Sequence, residues 1–575
     1  MVDRNALGSK LGAHVLGEQT RFACYTDAEK CELVLEGRRH AMQLVDGVYE
    51  LTLPAPHGSR YKFALDGREL PDPYARFVPD GPHAAAMVVE PRRQFKHGHV
   101  VRPLHQQVIY ELHVGTFTQS GTYRAALDKL PELVKLGVTT LELLPVASFP
   151  GARGWGYDGV ALWAPYAPYG TPDELRALVD EAHGLGLGVL LDVVYNHFGP
   201  AGNYLGAYHP SYFTHEVKNP WGDAPNYAHP AMRAFVVDNA RYWLEEFHFD
   251  GLRLDAVHEI HDPKSERHVL RELVEAAHAL GTRPILIAED DRNDPRLVQD
   301  YGLDGIWADD FHHQLRVTLT GEQEGYYAGY QPGVAGIARA IERGWLYEGE
   351  TPPGRDNPRG QPRGDLPRSA LIYCIQNHDQ IGNRALGERL SEDVDLEAYC
   401  LASTLLLFLP ATPMLFMGQE WGTRAPFAFF SDHDAELGEA ISRGRREEFK
   451  HFSAFSDPDK RARIPDPQDA QTFQRSKLPW DERDGADHVR VLALYEALLD
   501  LRQEDAVLRV EGELRAEAHG DVLSVLRFAQ GEERLLLANF GATPVAIPDG
   551  YRELLRSGER GPELAPHTAV ILARA

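Results

Sequence analysis

The chain has 575 residues, 43% of them hydrophobic, and its formal net charge at pH 7 is -26. This length exceeds what one hydrophobic core usually holds, so we expect a large domain with one or two smaller ones. The negative charge argues against nucleic acid and an anionic membrane as partners, because both would be repelled. A neutral substrate fits this charge better.

The cellular compartment is inferred from the N-terminus and the cysteines. Residues 1–17 lack the apolar core of a secretory signal, which indicates a cytoplasmic protein. Cys24, Cys31, Cys374 and Cys400 lack the paired spacing of a zinc site and are expected to be reduced thiols. The apolar stretch 400–418 contains two prolines, which favours a buried helix and strand over a membrane span.

The first part of the chain has the pattern of an all-β domain. Short alternating runs, such as 31–35 and 48–53, are separated by Gly, Asp and Pro between about residues 11 and 90. We therefore predict an N-terminal β-sandwich over residues 1–95. The proline-rich segment 70–81 is expected to lead into the next domain.

From there the chain alternates apolar strands with amphipathic helices. Predicted helices include 125–136, 172–185, 232–247 and 267–280, and residues 487–503 fit the last helix. The predicted strands cover 108–114, 139–146, 188–195, 249–257, 284–289, 305–308, 370–376 and 413–418. Eight such units predict an α/β fold with a (β/α)8 TIM barrel over residues 96–505.

Two insertions and a second small domain complete the predicted organisation. Residues 197–229, after the third strand, are expected to form a small excursion over the barrel mouth. Residues 351–367 are interpreted as a mobile surface loop without an assigned role. From about Glu511 short β-runs return, which predicts a C-terminal β-domain over residues 506–575.

Three of the predicted strands end in acids. Asp255 ends one strand, Glu289 follows another and Asp379 follows a third. Catalytic groups of parallel barrels gather at the carboxyl ends of the strands, so we expect these acids to converge. Arg253 stands two residues before Asp255 and should share its face of the strand, where it would keep Asp255 ionised.

Such a cluster suits either metal-assisted hydrolysis or glycosidic cleavage. Arg253 beside Asp255 disfavours a cation, so we prefer glycosidic cleavage with no metal and no cofactor. In this interpretation Asp255 is the nucleophile and Glu289 the acid/base. Asp379 stabilises positive charge in the transition state, and the anomeric configuration is retained.

These segments resemble the signature segments of the α-amylase superfamily of glycoside hydrolases and transferases. The resemblance rests on 192–197, 251–255, 288–289 and 377–379, in the same order and strand placement. It implies the same three roles for Asp255, Glu289 and Asp379. Asn196 resembles a residue that helps bind calcium in many relatives, but no acidic ligand cluster follows it, and we expect no required metal.

The resemblance also implies residues around the sugar. Arg253, His197 and His378 correspond to family residues that surround the sugar at the cleavage site. Tyr157 corresponds to the aromatic platform beneath that sugar. Further candidates for substrate contact lie in segments that follow the strands; they are His258, Asp309, Asp310, His312, His313, Gln380 and Asn383.

Longer segments narrow the expected activity. Residues 254–260, 288–294, 309–313 and 376–383 resemble the branch of the superfamily that releases trehalose from maltooligosyltrehalose. The front β-domain fits this branch and also branching and debranching enzymes that act on α-1,6 linkages, which is the alternative. A non-catalytic carbohydrate-binding protein is a third possibility, disfavoured because all three acids are present. The expected partner is thus maltooligosyltrehalose or a related α-glucan, and a monomer is compatible with the sequence.

Overall fold

The computed structural model describes residues 7–91, 94–219 and 222–575. The predictions for residues 1–17, for the domain 1–95 and for the insertion 197–229 therefore extend over positions outside the described residues. Within the described ranges the chain forms an N-terminal pair of sheets, a closed barrel and a C-terminal sheet, in that order.

The N-terminal region is a sandwich of two antiparallel sheets. One sheet has the strand order β1-β2-β6-β5, and the other has the order β4-β3-β7-β8 with β9 on β7. Phe22, Leu33 and Phe63 are fully buried between the sheets, since alternate residues of each strand face inward. Tyr208, from the predicted insertion, joins the same core and ties this region to the barrel. The strands are β1 Gly12–Leu16, β2 Gln19–Cys24, β3 Cys31–Leu35, β4 Arg38–Ala41, β5 Gln43–Val45, β6 Val48–Leu53, β7 Arg60–Leu65, β8 Arg68–Leu70 and β9 Ala86–Met87.

The predicted barrel is confirmed. Its eight strands are parallel, and the first pairs with the last, with Ile109 opposite Met414. The barrel strands are β10 Ile109–Leu112, β11 Thr140–Leu143, β14 Gly188–Val193, β17 Gly251–Leu254, β18 Ile285–Ala288, β19 Gly305–Trp307, β20 Leu371–Tyr373 and β21 Thr412–Phe416. Two hairpins lie in the connections, formed by β12 Ala147–Ser148 with β13 Ala161–Pro165 and by β15 Phe213–Asn219 with β16 Gly222–Pro225.

Helices connect the barrel strands. The helices are α1 Val114–Phe117, α2 Tyr123–Leu127, α3 Leu130–Leu136, α4 Pro172–Gly184, α5 Leu205–Tyr208, α6 Pro230–Glu246, α7 Val269–His278, α8 Arg296–Gln299, α9 Asp309–Thr320, α10 Val334–Arg343, α11 His378–Gly382, α12 Leu390–Asp393, α13 Leu396–Phe408, α14 Ala435–Glu448, α15 Pro458–Arg461, α16 Ala470–Arg475 and α17 Ala486–Glu504. The predicted helix 125–136 is wrong in its continuity, because it is split into α2 and α3. Pro131 has no N–H to donate to Leu127, so the first helix ends there and a new one begins.

The apolar stretch 400–418 forms a buried helix followed by a buried strand, as predicted. Nine of its residues belong to α13, and the strand that follows is β21, whose five residues are all buried. Among the described residues, no helix combines the length and the apolarity needed to cross a bilayer.

The C-terminal region forms a five-stranded sheet with the order β22-β23-β24-β28-β26. Arg527 of this sheet is buried and donates to the carbonyl of Phe408 in α13, which joins the sheet to the barrel. Its strands are β22 Glu513–His519, β23 Val522–Ala529, β24 Glu532–Asn539, β25 Val545–Ala546, β26 Tyr551–Arg556, β27 Glu563–Leu564 and β28 Thr568–Arg574. The predicted second β-domain is therefore present, and the boundaries at 95 and 505 stay predictions.

Candidate active site

The polar ends of several barrel strands meet at the carboxyl edge of the barrel. Asp192 lies in β14, and Asp255 directly follows β17. Glu289 directly follows β18, and Asp379 lies in the short helix α11 beyond β20. Parallel closure of the barrel brings these strand ends to one rim, where the connecting loops open.

Arg253 is the centre of this cluster. Its side chain is fully buried, and its Nη1 donates to both carboxylate oxygens of Asp192, at 2.9 and 2.8 Å, and to Oδ1 of Asp255 at 3.0 Å. Its Nη2 lies 3.2 Å from Oε2 of Glu289. The guanidinium also lies over the ring of Trp307, 4.1 Å from the ring centre. One buried cation therefore contacts two of the three predicted catalytic acids.

The backbone that follows Asp255 places Glu289. Ala256 has a φ of 38°, a left-handed conformation that costs energy for a residue with a Cβ. In this conformation the Ala256 N–H donates to Oε2 of Glu289 at 2.6 Å. The turn thus links the ends of β17 and β18 and fixes one oxygen of Glu289 beside Asp255.

The environment of Glu289 favours its protonated form. Burial raises its pKa well above the ordinary value, Arg253 opposes this rise, and the charges of Asp255 and Asp379 add to it. The pKa of Asp379 is also raised, first by burial, while His378 and Arg253 counteract that effect. A carboxyl group that keeps its proton near neutral pH can serve as a general acid.

Tyr157 and His378 form one wall of the cluster. Their rings stack with centres 5.2 Å apart, and the Tyr157 hydroxyl lies 2.8 Å from Nε2 of His378. The same hydroxyl donates to Asp192 at 2.5 Å. The predicted aromatic platform and the predicted histidine are thus held by each other and by the carboxylate that pairs with Arg253.

The remaining residues predicted near the sugar differ in their surroundings. Nδ1 of His197 bonds to Oδ1 of Asn196, and His197 is buried beside the nucleophile candidate. The Asn383 amide donates to Asp379 at 3.2 Å, so it orients that acid. Gln380 accepts a hydrogen bond from Tyr327 at 2.9 Å. Nδ1 of His258 lies 3.7 Å from Oδ1 of Asp290.

Asp310 does not belong to the open site. Its side chain is completely buried, and its Oδ2 accepts from Asn293 at 2.8 Å and from two backbone N–H groups. Its Oδ1 accepts from Tyr330 at 2.6 Å and lies 3.1 Å from Arg359. The prediction that Asp310 contacts a sugar is wrong, because helix α9 turns this carboxylate inward and its oxygens are engaged.

For the neighbours of Asp310, which are Asp309, His312 and His313, contact with a sugar stays a prediction. The Asp309 side chain is 21% exposed and lies 3.2 Å from Nε2 of His312. Burial raises the pKa of Asp309, but the hydrogen bond and charge of His312 outweigh this effect and lower it to about 2. His312 and His313 are buried, and Nδ1 of His313 lies 3.1 Å from the Tyr330 hydroxyl.

Two charged residues of this region were not among the predicted site residues. Glu111, in β10, contacts the ring of His378, and Arg359, in the loop 351–367, contacts Asp310 and Tyr330. An acid in the middle of an apolar strand was a usable signal for Glu111. No local signal marked Arg359, because its partners come from other parts of the chain. Part of the loop that had no assigned role is thus bonded to the region beyond β19.

Among the described residues, one group of side chains has the spacing of a possible metal site. His258, Asp290 and Asp291 offer ligand atoms within 4.8 Å of one another. Arg292, however, donates to Oδ1 of Asp290 at 2.6 Å and already supplies a positive charge there. The expectation that no metal is required stays a prediction.

Comparison with known families agrees with the three regions of the fold. The description "Alpha amylase, catalytic domain" matches residues 112–211. "Carbohydrate-binding module 48 (Isoamylase N-terminal domain)" matches residues 10–75, and a domain of unknown function, DUF3459, matches residues 511–571.

Full-length similarity is also found. A crystal structure from Salmonella typhimurium, provisionally described as an alpha amylase, has 38% identity and a TM-score of 0.91 over 98% of this chain and 99% of that one. A malto-oligosyltrehalose trehalohydrolase from Deinococcus radiodurans is 53% identical over 94% of this chain and 91% of its own length. One from Rhizobium sp. is 43% identical over 89% and 88%.

A closed parallel barrel, three acids at its carboxyl edge and an alpha-amylase catalytic match define a glycoside hydrolase of the α-amylase superfamily. The matches to trehalohydrolases cover about nine tenths of both chains, and they identify one family within this superfamily. The chain belongs to the malto-oligosyltrehalose trehalohydrolase family.

Proposed function

We propose that this chain is a retaining glycoside hydrolase that cleaves the α-1,4-glucosidic bond next to the trehalose end of maltooligosyltrehalose. The products are trehalose and a maltooligosaccharide. The observation that carries the proposal is the contact of one buried guanidinium, Arg253, with both Asp255 and Glu289. The full-length similarity to trehalohydrolases supports this substrate over branched glucans.

In the first step, Asp255 attacks the anomeric carbon of the glucose unit that precedes the trehalose. Arg253 and Asn196 donate to the two oxygens of Asp255, which fixes the orientation of the carboxylate. Glu289 transfers its proton to the departing 4-oxygen of trehalose. The anomeric carbon is then bonded to Asp255, and trehalose leaves.

In the second step, Glu289 takes a proton from water as the water oxygen attacks the anomeric carbon. The bond to Asp255 breaks, and the new reducing end has the original α configuration. Asp379 faces the sugar ring and stabilises the positive charge that develops in both transition states, held by Asn383.

Recognition of the leaving disaccharide requires fixed polar groups. A pocket built for particular hydroxyls penalises a ligand that leaves them unpaired, by roughly 1–3 kcal/mol per buried group. Asp309, His312 and His313 beyond β19, with Gln380 in α11, are the candidates. The Tyr327 hydroxyl fixes Gln380, and Tyr330 fixes His313.

The test compares three substrates: a defined maltooligosyltrehalose, a plain maltooligosaccharide of equal length, and an α-1,6-branched glucan. We expect free trehalose from the first, at a much higher kcat/KM than any cleavage of the other two. Proton NMR in the first minutes should show the α-anomer at the new reducing end. Equal efficiency on the first two, or main cleavage at branch points, would contradict the proposed substrate. An initial β-anomer would contradict the double displacement. The variant Glu289→Gln serves as the control for contaminating activity.

A further inference from the structure

Glu111 is a buried acid that the steps above do not use. It lies inside β10 and is 0% exposed. Its Oε1 lies 2.5 Å from Nδ1 of His378, and its Oε2 accepts the backbone N–H of His378 at 3.1 Å. Both oxygens of a carboxylate on the first barrel strand thus serve one residue that follows the seventh. A buried charge is costly unless it is paired in this manner.

The other ring nitrogen of His378 faces the site. Nε2 lies 2.8 Å from the Tyr157 hydroxyl and 3.5 Å from Oδ1 of Asp379. The Tyr157 hydroxyl donates its only proton to Asp192. It can therefore accept from Nε2–H but cannot also donate to a bare Nε2. An imidazolium, with one N–H toward Glu111 and one toward Tyr157, satisfies every group in this chain.

We propose that Glu111 is a positioning residue for the reaction: it holds His378 as an imidazolium, which fixes the Tyr157 hydroxyl and keeps a positive charge beside Asp379. This inference rests on the proposed function. It assigns Glu111 no contact with the substrate. Its action reaches the sugar through His378 and Tyr157.

The charges around His378 agree with this assignment. Burial alone would lower the pKa of His378, but the charges of Asp379 and Glu111 raise it to about 9. The nearby His113 is neutral, since burial lowers its pKa to about 3. The titratable groups beside His378 include Glu111, His113, Glu142, Tyr157, Asp192, Arg253 and Asp379.

Glu142 offers a matched control. It lies directly opposite Glu111 in the neighbouring strand β11 and is equally buried. Within the described part of the chain, neither of its carboxyl oxygens has a hydrogen-bond partner, and burial raises its pKa well above the ordinary value. Burial thus favours the uncharged form of Glu142, and Glu142→Gln removes no hydrogen bond to His378.

The experiment compares Glu111→Gln, Glu111→Asp and Glu142→Gln in the full chain. For Glu111→Gln we expect kcat for trehalose release to fall at least tenfold at pH 8, with a smaller loss at pH 5.5. The ratio of variant to native kcat should fall as the pH rises, because His378 loses its proton at a lower pH in Glu111→Gln. Glu111→Asp should keep most of the native profile shape, and Glu142→Gln all of it.

A second measurement does not depend on substrate. In protein labelled with 15N-histidine, the His378 signal, assigned with His378→Asn, should titrate at least one pH unit lower in Glu111→Gln than in the native protein. An unchanged His378 titration in Glu111→Gln, or an equal shift in Glu142→Gln, overturns the proposal. If Glu111→Gln does not fold, the His378 titration in Glu111→Asp decides. Retention of the imidazolium in Glu111→Asp is expected, and its loss would contradict the proposal. Failure of the native protein to release trehalose would instead refute the proposed function.

Discussion

Asn196 holds Asp255 at two atoms: its side-chain Nδ2 donates to Oδ2 of Asp255 at 2.7 Å and to the backbone carbonyl of Asp255 at 2.9 Å. Arg253 donates to the other carboxylate oxygen. Together these donors leave the Asp255 carboxylate few accessible orientations. A nucleophile held in one orientation enters the reaction with less entropy to lose.

The replacement Asn196→Ala should therefore lower kcat/KM by about tenfold to a hundredfold, since a hydrogen bond to a charged group is worth roughly 1.5–3 kcal/mol. Steady-state kinetics on maltooligosyltrehalose measure this loss. Asn239→Ala is the matched control, because Asn239 is also buried and bonded to Tyr195 and a backbone carbonyl, but contacts none of the three acids. It should lower stability and leave kcat/KM of the folded protein near native. Equal kinetic losses in both variants would argue against an orienting role for Asn196.

The roles of Asp255 and Glu289 can be separated with a substrate whose leaving group needs no proton. Both Asp255→Asn and Glu289→Gln should lower kcat on maltooligosyltrehalose by about a thousandfold or more. On an α-maltooligosyl fluoride, Glu289→Gln should release one fluoride per enzyme in a rapid burst, because only the second step then lacks its base. Asp255→Asn should show no burst. A burst from Asp255→Asn would show that Asp255 is not the nucleophile.

Contacts within one strand could be predicted from the sequence. Side-chain alternation placed Arg253 and Asp255 on one face, and their hydrogen bond agrees with this. Contacts that join distant segments could not be predicted. The pairing of Glu111 with His378 depends on closure of the barrel, and the burial of Asp310 depends on where α9 begins, since one residue more or less rotates a helical side chain by about 100°. Arg359 reaches Asp310 from a loop without regular structure, which has no periodicity to read.

The activity should be bell-shaped in pH, with Glu289 setting the alkaline limb of the native enzyme. A general acid must be protonated, so activity is lost as the pH rises through its pKa. Burial and the charges of Asp255 and Asp379 raise that pKa, while Arg253 lowers it. The limb should therefore lie well above pH 4.5 on maltooligosyltrehalose. For a maltooligosyl fluoride, single-turnover fluoride release should lack this limb; the same limb with both substrates would count against Glu289 as the acid.

Asp309 and Asp310 should respond differently to substitution, although they are adjacent. Asp310→Ala removes the partner of Arg359 and of several N–H groups, and should lower the free energy of unfolding by about 3–5 kcal/mol. Asp309→Asn should lower stability less than Asp310→Ala does, because its side chain is partly exposed, and it should raise KM for maltooligosyltrehalose if Asp309 contacts the leaving sugars. Denaturant titration and kinetics measure both quantities. A native KM for Asp309→Asn would remove Asp309 from the pocket.

The charge on His378 should also be visible in the pH dependence of stability. Its folded pKa, about 9, lies above the ordinary value of 6.5, so its contribution is fully present below pH 6.5 and is lost as the pH rises to about 9. The loss should amount to a few kcal/mol, since one pKa unit corresponds to about 1.4 kcal/mol. The difference in Tm between the native protein and His378→Asn should accordingly shrink between pH 6.5 and pH 9. His313→Asn is the matched control, because His313 is also buried but burial lowers its pKa well below 6.5. Its effect on Tm should be constant above pH 6.5 and change only at lower pH, where the unfolded chain binds the proton. A His378→Asn difference that stays constant from pH 6 to pH 9.5 would show that His378 is neutral in the folded protein.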